Sequence, residues 1–218
     1  MNIPAGIKMT PMLNQYAEWK DKYPDCLLFF RMGDFYELFF DDAKKASEIL
    51  DIALTSRDPQ KSIPMAGVPH HAVNSYLSRL VNSGYRVAIC EQVSEPDGKT
   101  LVDRRVIRIV TPGTFLSDDE PSDARLASIF PLKDELALAL LSVGTGSLEA
   151  GMLPLSDAIG ALKAFAPHEL IITRGADLHS VFSEFPGITI VEREKDDFNV
   201  ISGMRLFCDL WKVNSLSG

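Results

Sequence analysis

Six consecutive residues, Asp118-Asp119-Glu120-Pro121-Ser122-Asp123, carry no apolar side chain. Such a stretch has nothing to bury, and its proline interrupts regular structure. It divides the 218-residue chain into two parts, each of which must build its own core. The charge divides at the same place. Residues 1–117 hold 14 Lys and Arg against 14 Asp and Glu, whereas residues 118–218 hold 8 against 16, so the whole net charge of −8 belongs to the second part. The reading is a first domain over 1–117, an acidic linker over 118–124 and a second domain over 125–218.

Both parts have the means to fold. Hydrophobic residues make up 46 % and charged residues 24 % of the chain, the balance of an ordinary globular protein. No apolar run approaches the roughly 18 residues of a membrane helix, so no membrane contact is expected. The opening MNIPAGIKMT has no basic region followed by an apolar one, so no signal peptide is expected. Cys26, Cys90 and Cys208 are scattered and odd in number, which predicts reduced thiols and a cytoplasmic protein. A charge of −8 taken as one number argues against a polyanionic partner. The neutral first part does not share that objection.

The pattern predicts an α/β fold. Thr10 caps a helix with Pro11 at its first position. Residues 26–30 form an apolar, strand-length run. Asp34 is expected to open a helix through Leu50, with Tyr36, Phe40, Ala43, Ala46 and Leu50 on one face. Strands are expected over 52–55, 85–90 and 102–110, with Val102, Arg104, Val106, Arg108 and Val110 sharing a face. A helix over 73–81 should stop at Gly84. In the second part, strands are expected over 135–143 and 147–153, around a turn at Gly144-Thr145-Gly146. A helix over 156–165 with Ser156 as cap, a strand over 169–173, a helix over 177–185, a strand over 188–191 and a helix over 199–211 complete it. Strands alternating with helices imply mixed sheets with helices packed on them.

Little in the chain points to catalysis. Gly98-Lys99-Thr100 matches the end of a P-loop, but Val93 stands where the leading glycine is needed and a strand, not a helix, follows. His70-His71 is the one clustered imidazole pair and has no partner at ligand spacing, so a capping or surface role is expected. There is no G-x-S-x-G. The strand LALALL carries no carboxylate for a metal-dependent nuclease site. By itself the chain is not expected to be an enzyme.

Met32-Gly33-Asp34-Phe35-Tyr36-Glu37 stands out at a strand-to-helix junction. One reading is structural: Asp34 caps the helix, Glu37 reaches back in a capping-box variant, and Phe35 packs locally. The other is functional. An aromatic beside a glycine that admits another backbone can project as a wedge, enter a base step and stack, worth about 1–3 kcal/mol per base. Partial unstacking costs a few kcal/mol and permits a kink. That cost is least where the pair is already mismatched. A carboxylate two residues on can accept a hydrogen bond from a base edge.

Three long segments carry a resemblance: LLFFRMGDFYELFFDDAKKAS, IPMAGVPHHAVNSYLSRLVNSGYRVAICEQV and VIRIVTPGT. In this order they closely resemble the N-terminal mismatch-recognition domain of the MutS family of DNA mismatch repair proteins. The second part resembles, more loosely, that family's connector domain, with an RNase H-like fold. The resemblance implies a mixed-sheet mismatch-recognition domain followed by a smaller RNase H-like α/β connector. The family's Phe-x-Glu motif falls on Phe35 and Glu37. The Phe inserts from the minor groove and stacks on a mispaired or unpaired base, the Glu hydrogen-bonds that base, and the DNA is kinked. Met32, Gly33, Asp34, Arg57, Met65 and Arg108 match positions near DNA, with Arg104 and Arg105 as further basic candidates, and Gly67 and Pro69 shape a loop. One departure is Leu141-Ser142-Val143-Gly144-Thr145-Gly146, where the family often has an acidic residue in the strand.

The resemblance also implies that core, lever, clamp and ATPase domains are absent, leaving either a truncated chain with an incomplete connector or a short natural relative. ATP and magnesium are expected only in those absent domains, with no cofactor or metal in this chain. Expected partners are double-stranded DNA with mismatches or small loops and, through the connector, other mismatch repair proteins. The chain itself is expected to be a monomer and its full-length form a homodimer, in a bacterial cytoplasm and associated with the nucleoid. The alternative is a protein-interaction module whose acidic second part binds repair proteins, with no independent mismatch binding.

Overall fold

The apolar run that begins at Cys26 becomes β1 (Cys26–Met32), and the first unit is assembled around it. The computed structural model describes residues 7–60, 62–94, 101–116 and 124–215; the acidic stretch 118–123 and Gly98-Lys99-Thr100 lie outside the described residues. The chain splits into two compact units, Met1–Ser122 and Asp123–Gly218. Among the described residues no helix is long and apolar enough to cross a membrane.

In the first unit, α1 (Pro11–Lys22) starts as its sequence predicts, with the Thr10 side chain accepting from the Leu13 N–H. Beyond β1 the chain turns back as β2 (Phe35–Phe39) and only then enters α2 (Phe40–Leu50). The expected helix from Asp34 is therefore corrected. Residues 35–39 alternate as a strand does, with Tyr36 and Leu38 in one core and Phe39 in the other. Gly33, at φ 58°, is the first of two loop residues between the paired Met32 and Phe35, as a type II′ hairpin turn requires. The capping box between Asp34 and Glu37 has no helix to cap.

Next come β3 (Thr55–Ser56), β4 (Pro64–Pro69), one 3₁₀ turn at His70–Ala72, α3 (Val73–Asn82), β5 (Arg86–Gln92) and β6 (Arg104–Val110). Only Thr55 of the expected strand 52–55 is extended, because Asp51 in the left-handed region and the Ile52 N–H bonded to Ser47 O close α2 instead. Gly67 and Pro69, expected in a loop, belong to β4. The Gly84 stop of α3 is present, with φ 82°.

The six strands run in the order β3-β4-β2-β1-β5-β6. β1 and β5 are parallel and the other pairs antiparallel, so the sheet is mixed. α2 and α3 cover one face through Ala43, Ala46, Leu50, Leu77, Leu80 and Val81. α1 covers part of the other through Met12, Leu13 and Tyr16. A bulge in β6 opposes Ile89 to Arg108 and Cys90 to Val106, skipping Ile107. The five residues from Val102 to Val110 expected on one face are split by it: Val106 joins the α1 side and Val110 the α2–α3 side.

The second unit begins with β7 (Arg125–Pro131), which the sequence reading missed because only its alternate residues, Ala127 and Ile129, are fully buried and a proline closes it. β8 (Glu135–Ser142), β9 (Ser147–Pro154), α4 (Leu155–Phe165), β10 (Glu169–Thr173), α5 (His179–Phe182), β11 (Thr189–Arg193) and α6 (Val200–Trp211) follow. Their order is β11-β10-β7-β8-β9, an antiparallel three-strand meander extended by two parallel strands. Ala158, Leu162, Leu178 and Val181 pack on this sheet. Ser156 does not cap α4; its hydroxyl bonds Asp157. Asn199 does cap α6, accepting from Ser202 N–H. Both units are thus α/β with mixed sheets.

Candidate nucleic-acid interface

The period of a strand decides what surrounds Phe35. Phe35, Glu37 and Phe39 face the α1 side, and α1 reaches Phe39 but not the hairpin end. Tyr16 of α1 packs edge-on against Phe39 at 5.0 Å, whereas Phe35 is 47 % exposed. The backbone at Phe35 is nevertheless held on both sides, by Met32 in β1 and Pro69 in β4. The His70 N–H donates to Asp34 O at 2.9 Å and ties the turn to the end of β4. An apolar ring is therefore presented to solvent from a fixed backbone.

Gly67 lies opposite Glu37 across the β2–β4 ladder. A Cβ there would stand 3.4 Å from Tyr36 O, 3.8 Å from Glu37 Cγ and 4.0 Å from Phe35 Cδ1. The close-approach glycine of this site is Gly67, not Gly33, which has nothing within 4 Å and serves the turn alone. Sequence reasoning missed this because the contact depends on a strand pairing 30 residues apart in the chain, Glu37 with Gly67.

Glu37 is half-buried. Arg57 Nη1 donates to its Oε2 at 2.7 Å, and the same guanidinium lies over the Phe39 ring at 5.8 Å. Burial pushes the Glu37 carboxyl upward, opposed by the positive charges of Arg57 and Arg104. Arg57 is braced from behind. Its N–H donates to Ile63 O at 3.0 Å. The neighbouring Asp58 accepts from Ser56 Oγ at 2.9 Å, Ser62 Oγ at 2.7 Å, Ser62 N at 3.2 Å and Ile63 N at 2.8 Å. Desolvation favours the neutral acid at Asp58, but these hydrogen bonds outweigh it and hold the carboxyl well below the usual range.

The three arginines of β6 part company. Arg104 is buried, 4 % exposed. Its guanidinium donates to Arg31 O at 2.7 Å, Gln15 Oε1 at 3.0 Å and Val102 O at 2.9 Å, and sits over the Phe30 ring at 4.9 Å. It is a strut between β1, β6 and the N-terminal helix. Arg105 pairs in register with Glu91, and Arg108 with Ile89. Both belong to the face opposite Phe35, and Arg105 lies 3.5 Å from Asp103. Met32 and Met65 pack partly buried against the α1-side core, with Met32 Sδ 3.3 Å from Arg104 Nη2. Asp34 is exposed in the turn.

Behind the hairpin, on the α2–α3 side, the Tyr36 hydroxyl donates to Glu91, and Arg31 approaches Glu91 at 3.8 Å. Burial, then Glu91, push the Tyr36 phenol up to about 12. His70 and His71 meet edge to face at 6.3 Å. Among the described residues no group of three or more His, Cys, Asp or Glu is placed to hold a metal ion. Cys26, Cys90 and Cys208 are free thiols.

The hairpin end thus presents an exposed phenylalanine and a carboxylate on one strand face. The family model described as MutS domain I matches residues 10–119, which spans the whole constellation. The chain belongs to the MutS family. It is 45 % identical over 175 residues to the DNA mismatch repair protein MutS of Staphylococcus haemolyticus, covering 77 % of this chain and 20 % of that protein. It is 46 % identical over 180 residues to MutS of an Anaeromyxobacter species, covering 80 % and 20 %. With MutS of Clostridium botulinum it shares 37 % over 210 residues, covering 90 % and 22 %. The chain thus spans about a fifth of the length of these MutS relatives. The matched residues 10–119 are thus MutS domain I.

Proposed function

We propose that the first unit reads mispaired or unpaired bases. Phe35 enters from the minor groove and stacks on the displaced base, while Glu37 hydrogen-bonds the same base. The observation that carries this reading is a half-exposed phenylalanine on a backbone held from two sides, on the same strand face as a half-buried carboxylate. Stacking supplies about 1–3 kcal/mol. A matched step must first be unstacked at a cost of a few kcal/mol, so the net gain appears where pairing is already weak. Gly33, Asp34, Met32 and Met65 shape the tip around the wedge. The second unit acts as an RNase H-like connector, supported by the meander-plus-two-parallel-strands order of its sheet. In this reading it relays the DNA state to ATPase domains and contacts other repair proteins.

The test is competition between duplexes. The chain should bind a duplex with one unpaired thymine more tightly than its fully paired counterpart, measured by fluorescence anisotropy at low salt. Phe35→Ala should reduce that preference about tenfold or abolish it, with unfolding stability little changed because the ring is half-exposed. Preference that survives the substitution excludes the wedge. A second reading, a protein-interaction module, is favoured by α6, which buries no residue and exposes Val200, Ile201, Leu206, Leu210 and Trp211. Under that reading Phe35→Ala changes no binding at all.

A further inference from the structure

The two-residue turn before Phe35 is fixed through its carbonyls. Asp34 O accepts from the His70 N–H at 2.9 Å. Gly33 O accepts from Arg31 Nε, a side chain of β1. The first anchor is backbone and comes with the sheet. The second is only as firm as the side chain that makes it, and that side chain is held in turn. The Arg31 guanidinium lies over the Tyr36 ring at 5.5 Å, and its Nη1 stands 3.8 Å from Glu91 Oε1. The Tyr36 hydroxyl donates to the same oxygen. Tyr36 is the cross-strand partner of Arg31, is 5 % exposed and tilts against Phe29 at 5.8 Å. Glu91 belongs to β5, on the other side of β1. A line of contacts thus runs from β5 through Glu91 and Arg31 to the carbonyl two residues before Phe35. Tyr36 packs in the α2–α3-side core, so this group lies behind the face that presents Phe35 and Glu37.

Glycine supplies the positive φ of the turn, and with it more conformational freedom than any other residue would bring. β2 pairs with β1 over only three positions, Phe30 to Met32. A glycine on a short ladder leaves a hairpin end loose unless its peptide groups are tied down. A loose tip must be ordered as it enters DNA, and that ordering is subtracted from the stacking energy. We propose that Arg31 is a positioning residue for the Phe35 wedge: braced by Glu91 and Tyr36, it holds the Gly33 carbonyl so that the ring meets DNA in one orientation. The inference rests on the wedge reading of Phe35 and deepens it. Arg31 acts through the turn and touches no base. Its planar fork engages Gly33 O and Glu91 together, which the single ammonium of a lysine does less well and an alanine not at all.

Two measurements on the whole chain test this. The first needs no DNA: nitrogen-15 relaxation reports the order of the Gly33, Asp34 and Phe35 amides. In the unsubstituted chain these should match the rigid strands, with order parameters of about 0.85, and in Arg31→Ala they should fall below about 0.6 while β1 and β5 stay rigid. Glu91→Gln, which keeps an oxygen for the Tyr36 hydroxyl but removes the charge beside Arg31, should loosen the same three amides less. Three amides that stay rigid in Arg31→Ala overturn the proposal, and rigid amides in Glu91→Gln overturn the bracing role of Glu91. The second measurement is the affinity ratio between a duplex with one unpaired thymine and its paired counterpart. A variant that merely folds less well weakens both duplexes alike and leaves the ratio intact. Arg31→Ala should lower the ratio about fivefold, with paired DNA bound within about twofold of the unsubstituted chain, and Arg31→Lys should recover part of the loss. In a Phe35→Ala background, Arg31→Ala should change the ratio no further. Equal weakening of both duplexes, or a full effect without Phe35, overturns the positioning role. If the unsubstituted chain prefers no unpaired base over paired DNA, the wedge reading fails. Relaxation alone then decides whether Arg31 orders the hairpin end, loosened amides supporting it and rigid ones overturning it.

Discussion

At Gly33 the backbone takes φ 58°, a value that side chains with a Cβ resist. Open space surrounds the position, so a methyl group there meets no neighbour. The cost of Gly33→Ala is then conformational, about 1–2 kcal/mol. Urea unfolding should show that loss with an unchanged m-value. Gly67 is the opposite case: its conformation is ordinary, but the Phe35 ring and Glu37 Cγ lie within 4.0 Å of a would-be Cβ. Phe35 and Glu37 stand out in the sequence because both sit in one short motif. Their neighbours in space do not. Gly67 reaches Glu37 only through the β2–β4 register. Arg104, a basic candidate by its sequence, is instead buried against Phe30 and three backbone or amide oxygens, which make it structural.

At the level of elements, the sequence reading ran β2 and α2 together into one helix from Asp34. The helical spacing of Phe40, Ala43, Ala46 and Leu50 is real, and Tyr36 extends it by chance four residues back. A strand and a helix share that spacing at one or two positions, and only alternation over the full segment separates them. Asp42 then does in space what the ladder cannot. β2 pairs with β1 only from Phe30 to Met32, and the Leu28 N–H donates instead to Asp42 Oδ2 at 3.0 Å. The Tyr16 hydroxyl donates to the same oxygen at 3.1 Å, and Lys20 Nζ lies 2.9 Å from Oδ1. Burial, then the Asp42 charge, push the Tyr16 phenol well above its ordinary value. Phe40, buried and at φ 56°, is held in an unfavourable backbone region two residues before this anchor. Asp42→Ala leaves the Leu28 amide without its acceptor and removes the carboxylate partner of the buried Tyr16 hydroxyl and the Lys20 ammonium, which keep Phe39 O and Cys26 O, and should cost about 3 kcal/mol in chemical denaturation. Asp42→Asn keeps the acceptor for Leu28 and should cost clearly less.

For the whole molecule the charge division has a measurable consequence. The net −8 of the chain lies entirely beyond residue 117, and the first 117 residues are neutral. Of the basic residues on β6, Arg104 is buried and Arg105 and Arg108 belong to the face away from Phe35. Arg57 is engaged with Glu37. These four arginines are therefore not available on the Phe35 face to replace counterions along a duplex. Each phosphate neutralised contributes about −0.9 to the slope of log affinity against log salt. A head that meets about two phosphates should show a slope near −2. Under the proposed reading, paired and lesion-bearing duplexes share those phosphate contacts and differ in stacking and in the bond to Glu37, which release no counterions. Salt should therefore weaken both duplexes in parallel and leave their affinity ratio unchanged. Titrations from low to physiological salt with both duplexes measure this. A common shallow slope assigns discrimination to Phe35 and Glu37. A slope steeper than about −5, or a ratio that collapses with salt, places it instead in phosphate contacts by basic residues.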